Sequence, residues 1–235
     1  MNQPPKPLTK ILMYGFLVVM TLFALYPVWF AILAAGRPGQ RLYTFDLAGM
    51  FFPTEWTWDN LQALLTETAF LTWIRNSLLV ATATSLAALF IGTSAAFAFS
   101  RFKFYGRQGG LILFLAIQAF PGILSLVAIA QILAALGLYA NHWGLVMAYL
   151  AGTLVFVIWN LKGYFDTIPV DLEESGMIDG CGPIQSFVYI ALPLARPALA
   201  VTMLFGFMAG WGEFFLANIL IPAPDAKKTV MVGMY

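Results

Sequence analysis

The feature that most limits what this chain can fold into is a run of 54 residues, Gln108 to Leu161, without one Asp, Glu, Lys or Arg. A helix crosses about 30 Å of hydrocarbon with about 20 mostly apolar residues, so such a run holds two crossings, and Leu138-Tyr139-Ala140-Asn141-His142 supplies the turn between them. Charge-free stretches also stand at Ile11–Gly36 and, between Arg75 and Arg101, at Asn76–Ser100; a further one, Pro197–Leu220, is interrupted only by Glu213. The sequence therefore predicts an all-α membrane protein, a polytopic helical bundle over residues 1–235, with spans near 11–36, 76–100, 109–134, 143–161 and 197–220. Composition agrees, since 61% hydrophobic against 10% charged residues is far from the soluble average.

Twelve Lys and Arg nearly balance eleven Asp and Glu, so net charge gives no reason to expect a nucleic-acid partner. The single cysteine, Cys181, forbids an intrachain disulfide, and with His142 as its one soft companion it makes no metal-ligand cluster. No metal or cofactor is expected. The basic tail before Ile11 resembles a signal peptide, but the apolar run behind it is too long for a cleaved segment and reads as an uncleaved first span.

Positive residues orient the set, because Lys and Arg in short loops bias those loops toward the cytoplasm. Lys6 and Lys10 put the N-terminus inside; Arg101, Lys103 and Arg107 follow span two, and Lys162 and Arg196 bracket the loop at 163–196. Arg37, Arg41 and Arg75 fall in or beside an outer segment, 37–73, whose Thr57-Trp58-Asp59-Asn60 opens a short amphipathic helix through Glu67. Trp56, Trp58 and Trp73 suit an interfacial belt, with ligand contact as the sharper alternative. Small residues recur every fourth position at Ala88, Gly92, Ala96 and Ser100, and again at Gly206 and Gly210, as helix packing in lipid requires. Pro121-Gly122 lies within the third span, where a lost amide and an unhindered backbone make either a plain kink or a break that exposes backbone to a substrate path.

The loop after span four has unusual internal order. Thr167 is placed to cap a helix with Ile168 and Pro169 in its first turn, and Asp171, Glu173 and Glu174 set negative charge near the positive end of its dipole. Asp179-Gly180 ends that helix, with Gly180 free to take the left-handed conformation of a sharp turn. A second helix starts at Pro183, turns Phe187, Ile190 and Ala191 to one side and stops at Leu192-Pro193. The solvated-face reading of the two glutamates competes with docking, and the spacing that follows favours docking.

Glu174-Ser175-Gly176, then Gly180, then Ile190-Ala191-Leu192-Pro193 resembles the signature of ABC importer permeases: Glu-Ala-Ala, a Gly after three residues, and Ile-x-Leu-Pro after nine more. Ser175 and Gly176 replace the two alanines. Phe52-Pro53-Thr54, Arg75-Asn76-Ser77-Leu78, Ala98-Phe99-Ser100-Arg101 and Trp211-Gly212-Glu213-Phe214 extend the resemblance over nearly the whole chain, closest to the second permease subunit of maltose-type carbohydrate importers. Gly212 stands where that group has asparagine.

The resemblance implies a subunit of an ATP-driven, binding-protein-dependent importer of a carbohydrate such as maltose or maltodextrin, in the cell membrane. Its implied partners are a second permease subunit, two ATPase subunits and an extracytoplasmic solute-binding protein. Glu174 through Pro193 would be the coupling element, and Glu173, Glu174, Ser175, Gly176, Asp179, Gly180, Ile190, Leu192 and Pro193 are the candidate residues of that loop. The chain has no Gly-x-x-x-x-Gly-Lys-Ser/Thr loop, so ATP hydrolysis is expected elsewhere and no catalytic residue is expected here. Six spans are typical of the group, against the five seen here, and a missing C-terminal portion is the expectation that follows. Glu213, Pro121 and Gly122 are the candidates for a translocation path. Seventeen residues past Arg196, about 26 Å of helical rise, put Glu213 near the outer boundary of the hydrocarbon, where interfacial placement competes with substrate contact. A non-sugar ABC permease and an ion-gradient-driven transporter are the rival readings; the latter usually pairs intramembrane charges, and Glu213 stands alone.

Overall fold

The computed structural model describes residues 7–38, 47–52, 55–222 and 224–235. Every regular element among them is helical. Lys6, Arg41 and Pro53-Thr54 lie outside the described residues. The chain divides into two compact units, residues 1–68 and 69–235.

In the first unit, α1 (Pro7–Ala35) is apolar all round, and only 6% of its most hydropathic window is buried. A helix with no small-residue stripe and no polar face has lipid as its natural solvent. Two short helices follow, α2 (Leu47–Phe51) and α3 (Asp59–Thr66). Trp29 donates to the Phe51 carbonyl at 3.0 Å. Asn60 bonds the carbonyls of Ala35 and Arg37 at 3.1 and 2.7 Å, so the segment after α3's start closes over the end of α1. Thr57 Oγ1 accepts from the Asp59 amide at 3.1 Å, at the helix start that the sequence predicts.

The second unit is built on α4 (Phe70–Arg101), against which α7 (His142–Phe165) and α11 (Arg196–Gly212) pack. The small residues explain the seating. A methyl group on Gly92 would fall 2.5 Å from Val157 Cγ1 of α7, and one on Gly210 would fall 3.2 Å from Ala81 Cα. Backbones approach this closely only where Cβ is absent or small, and close approach is what gains dispersion energy in lipid. Between α4 and α7 run α5 (Arg107–Ala119) and α6 (Gly122–Ala135). After α7 come α8 (Asp171–Ile178), α9 (Pro183–Ser186), a π-helical turn at Phe187–Ala191 and α10 (Leu192–Leu194). Beyond α11 lie α12 (Phe215–Leu220), a 3-10 turn (Asp225–Lys227) and α13 (Val230–Gly233).

Among the described residues three helices are long and apolar enough to cross a membrane, and up to five spans result if each bent pair counts as one. The segment expected as a single span at 109–134 is more than kinked: α5 and α6 meet at 99°. Phe120 is extended, and Pro121, without an amide, starts α6 instead of continuing α5. The span expected at 197–220 is also divided, since α11 stops at Gly212 and α12 begins at Phe215. Trp73, assigned above to an interfacial belt, is instead buried, and its Nε1 donates to the Asp225 carbonyl at 2.8 Å.

Candidate functional site: the helix-turn-helix loop and the broken-helix cleft

The loop helix α8 starts later than the sequence suggests. Thr167 Oγ1 donates to the Tyr164 carbonyl at 2.7 Å and so closes the end of α7; the helix begins at Asp171, with Glu173 and Glu174 amides bonding the Val170 carbonyl. Its end is the expected one. Gly180 has φ +96°, its amide bonds Met177 O at 3.1 Å and the Cys181 amide bonds Gly176 O at 2.9 Å, the paired bonds of a glycine-terminated helix. The Gly182 amide then donates to Gln185 Oε1 at 2.8 Å, and α9 starts at Pro183.

Leu192-Pro193 does not stop the second helix. Pro193 offers no amide to the turn before it, and the chain widens there into a π turn in which the Leu192 amide bonds Phe187 O. The helix passes Pro193, and only at Ala195 does the path bend, by 76°, into α11. Gly176 is buried under Ile190, so an alanine methyl at this position would collide with the end of the Ile190 side chain. Alanine, which the resemblance has here, fits only if the end of Ile190 moves aside.

The two neighbouring glutamates part company. Glu174 is exposed, while Glu173 is buried and accepts from Arg101 Nε at 2.8 Å, the two side chains being 4% and 9% exposed. Arg101, the last residue of α4, also donates to the Ile168 carbonyl at 3.0 Å and to Ser100 Oγ at 3.1 Å. Ser100 in turn donates to Asp166 Oδ1 at 2.6 Å, and Lys162 Nζ reaches Asp166 Oδ2 at 2.6 Å. Burial pushes the Asp166 carboxyl up, but the hydrogen bonds from Lys162 and Ser100 and the charges of Lys162 and Arg107 outweigh it and hold that carboxyl below its usual range. An apolar joint lies beside this network: Phe97 of α4 packs edge-on against Phe165 and tilted against Phe187, with centroids 5.6 and 4.7 Å away. The loop is thus fixed to α4 by charge and by aromatic packing at once. Ser175, Asp179 and Gly180 remain exposed on its other side, Ser175 Oγ donating to Asp171 O at 2.8 Å, while Ile190, Leu192 and Pro193 are half-buried.

Glu213 occupies the break between α11 and α12. It accepts from the amides of Leu216 and Ala217 at 2.9 and 3.1 Å and from the Tyr149 hydroxyl at 2.8 Å. It also lines a cleft of about 470 Å³ with Gln118, Thr153, Phe156 and Phe205, and an adjoining cavity of about 710 Å³ bounded by Phe120, Gly122 and Ser125. The breaks at Pro121-Gly122 and at Glu213-Phe214, read separately in the sequence, face one hollow.

Sequence reasoning missed Arg101 as a partner of the loop and Tyr149 as the partner of Glu213, because 72 and 64 residues separate the pairs. It also missed how the far end of the unit is fastened. Asn76 Nδ2 bonds the carbonyls of Ala226 and Lys228 at 2.8 and 2.9 Å, and Ser77 Oγ accepts from the Val230 amide at 2.8 Å. The landmark Arg75-Asn76-Ser77-Leu78 carried that signal without its meaning.

Broken and bent apolar helices around a hollow, with an ordered polar loop following them, are the architecture of a polytopic permease fold. Residues 88–234 match the model of the binding-protein-dependent transport system inner membrane component family, and the chain belongs to that family. A maltodextrin transport system permease protein of Bacillus subtilis is 35% identical over 228 residues, covering 97% of this chain and 80% of the relative. A galactooligosaccharides transport system permease protein of the same organism is 32% identical, covering 94% and 78%. Among solved structures, a bacterial ABC transporter involved in the import of the acidic polysaccharide alginate shares the fold, with a TM-score of 0.78, 20% identity, and coverage of 98% of this chain and 81% of that one.

Proposed function

We propose that this chain is the permease subunit of an ATP-driven importer of a carbohydrate in the maltodextrin or oligosaccharide class, moved by ATPase subunits that dock on α8–α10. The orientation follows the positive residues: N-terminus and loop 163–196 inside, segment 37–73 outside. With a second permease subunit it forms half of a translocation path, and the hollow at Pro121, Gly122 and Glu213 is its share of that path.

The observation that carries the reading is the two-sidedness of the loop. Its inner side is fastened to α4 through Arg101–Glu173 and Phe97–Phe187. Its outer side presents Ile178, Ile184 and Tyr189, 87%, 77% and 71% exposed, beside the free carboxylate of Glu174. Large apolar groups grouped in a polar loop mark a protein contact. A push on that side reaches α4 with little loss, as switching a transporter requires; shifting a two-state equilibrium from 1:99 to 99:1 takes about 5.5 kcal/mol. The cargo class rests on the maltodextrin and galactooligosaccharide relatives.

Cys181, the one cysteine of the chain, sits at the tip of the loop and serves as a native probe. In membranes containing the partner subunits, a short thiol-to-amine crosslinker should join Cys181 to the ATPase subunit. A crosslink to none of the ATPase subunits, in a complex that hydrolyses ATP, would refute docking at this face.

A further inference from the structure

At the end of α4 a second polar feature stands apart from the docking face. A cavity of about 790 Å³ is lined by Lys103, Arg107 and Lys162 together with Tyr105, Gly106 and Gln108. Among the described residues the carboxylate paired with this cluster is Asp166, bonded to Lys162, so three cations stand against one anion. Arg107 opens α5 with no acid in its first turn, which adds a cation to the positive end of a helix dipole where an anion is favoured. Arg107 spends one guanidinium nitrogen on the Ser100 carbonyl at 3.3 Å.

The surroundings indicate what kind of anion fits. Phe104 and Tyr105, which line it, are both exposed, as is the neighbouring Phe102. Exposed aromatics beside cations are the composition of a membrane–water interface. From the cavity the outer face of α5 continues with Ile112, Leu113 and Leu115 uncovered, an aliphatic track of the kind that acyl chains occupy.

We infer that this pocket binds the phosphate headgroup of an anionic phospholipid, with Lys103 and Arg107 as the principal contacts and α5 against its acyl chains. Basic pockets between membrane helices on the cytoplasmic side take such headgroups, each Lys or Arg being worth roughly a five-fold gain in binding. The inference rests on the proposed orientation, which puts this end of α4 at the cytoplasmic face, and stands or falls separately from coupling to an ATPase.

The test is native mass spectrometry of the full-length purified chain titrated with dioleoyl phosphatidylglycerol or dioleoyl phosphatidylcholine. Phosphatidylglycerol should bind preferentially, and the double variant Lys103→Gln/Arg107→Gln should lower that preference by roughly twenty-five-fold. The charge-conserving Lys103→Arg/Arg107→Lys pair should retain it, as should Arg75→Gln at the opposite end of α4. Equal binding of the two lipids, or an undiminished preference in the double variant, would overturn the site. Displacement of phosphatidylglycerol by millimolar inorganic phosphate would overturn the lipid assignment in favour of a free-phosphate site.

Discussion

Glu173 and Glu213 are both drawn away from water, yet one faces a guanidinium and the other faces none. Glu173 is buried at the end of α4 and neutralised by Arg101. Glu213 is half-buried in the hollow and is held by one hydroxyl and two amides. Removing one member of a buried ion pair strands its partner, whereas a carboxylate stabilised by neutral dipoles leaves no orphan charge behind. The first arrangement suits a joint, which must not slip. The second caps α12 while lining the cleft, as the proposed path requires.

The comparison breaks most sharply at Arg101. Arg101→Ala should destabilise the loop's seat by about 3–5 kcal/mol, because Glu173 is left buried and unpaired. Limited proteolysis of the 163–196 loop should then become fast, and exchanging the charges, Arg101→Glu with Glu173→Arg, should restore part of the protection. Unchanged proteolysis in Arg101→Ala would show that Phe97, Phe165 and Phe187 hold the loop unaided.

Glu213→Gln is expected to have a smaller effect. An amide replaces one acceptor oxygen with a donor, and in either orientation that donor faces an α12 N–H, of Leu216 or of Ala217, at a cost of about 1–3 kcal/mol. Thermal unfolding in detergent should register that loss, and uptake should fall further than stability alone explains if the cleft carries cargo. Full uptake with lowered stability would reduce Glu213 to a helix cap.

The smallest effect belongs to Gly176→Ala. Alanine gains about 1 kcal/mol in helix propensity, but its methyl group meets Ile190. The single variant should therefore stay within about 1 kcal/mol of the parent. Adding Ile190→Val removes the colliding carbon and should raise the melting temperature above that of the single variant. No gain would mean that Ile190 is not what keeps glycine there.

Much of this was legible in the chain. Charge-free runs gave the main helices, the small-residue stripe at Ala88, Gly92 and Ala96 gave the face of α4 that receives α7, and Gly180 gave the left-handed turn. These are local signals, written within a few turns of the residues that use them. What stayed hidden depends on pairing across the fold. Arg101 read as a topogenic cation, and only the return of the chain 72 residues later makes it the counter-ion of Glu173. Trp73 read as a belt residue because nothing near it in sequence shows that Asp225 will take its indole N–H. Pro121-Gly122 left a kink and a break equally open, and only the 99° bend between α5 and α6 decides for the break.

The central claim is that motion imposed on α8–α10 reaches the bundle as a unit, and ATPase stimulation tests it most directly. The chain is co-expressed with its neighbouring permease and ATPase subunits, and hydrolysis is measured with and without a sugar-loaded binding protein. The parent complex should be stimulated, and Gly180→Val, which forces a β-branched residue into φ +96°, should lose most of that stimulation while still inserting and assembling. Stimulation undiminished in Gly180→Val, in a complex of normal composition, would contradict the claim.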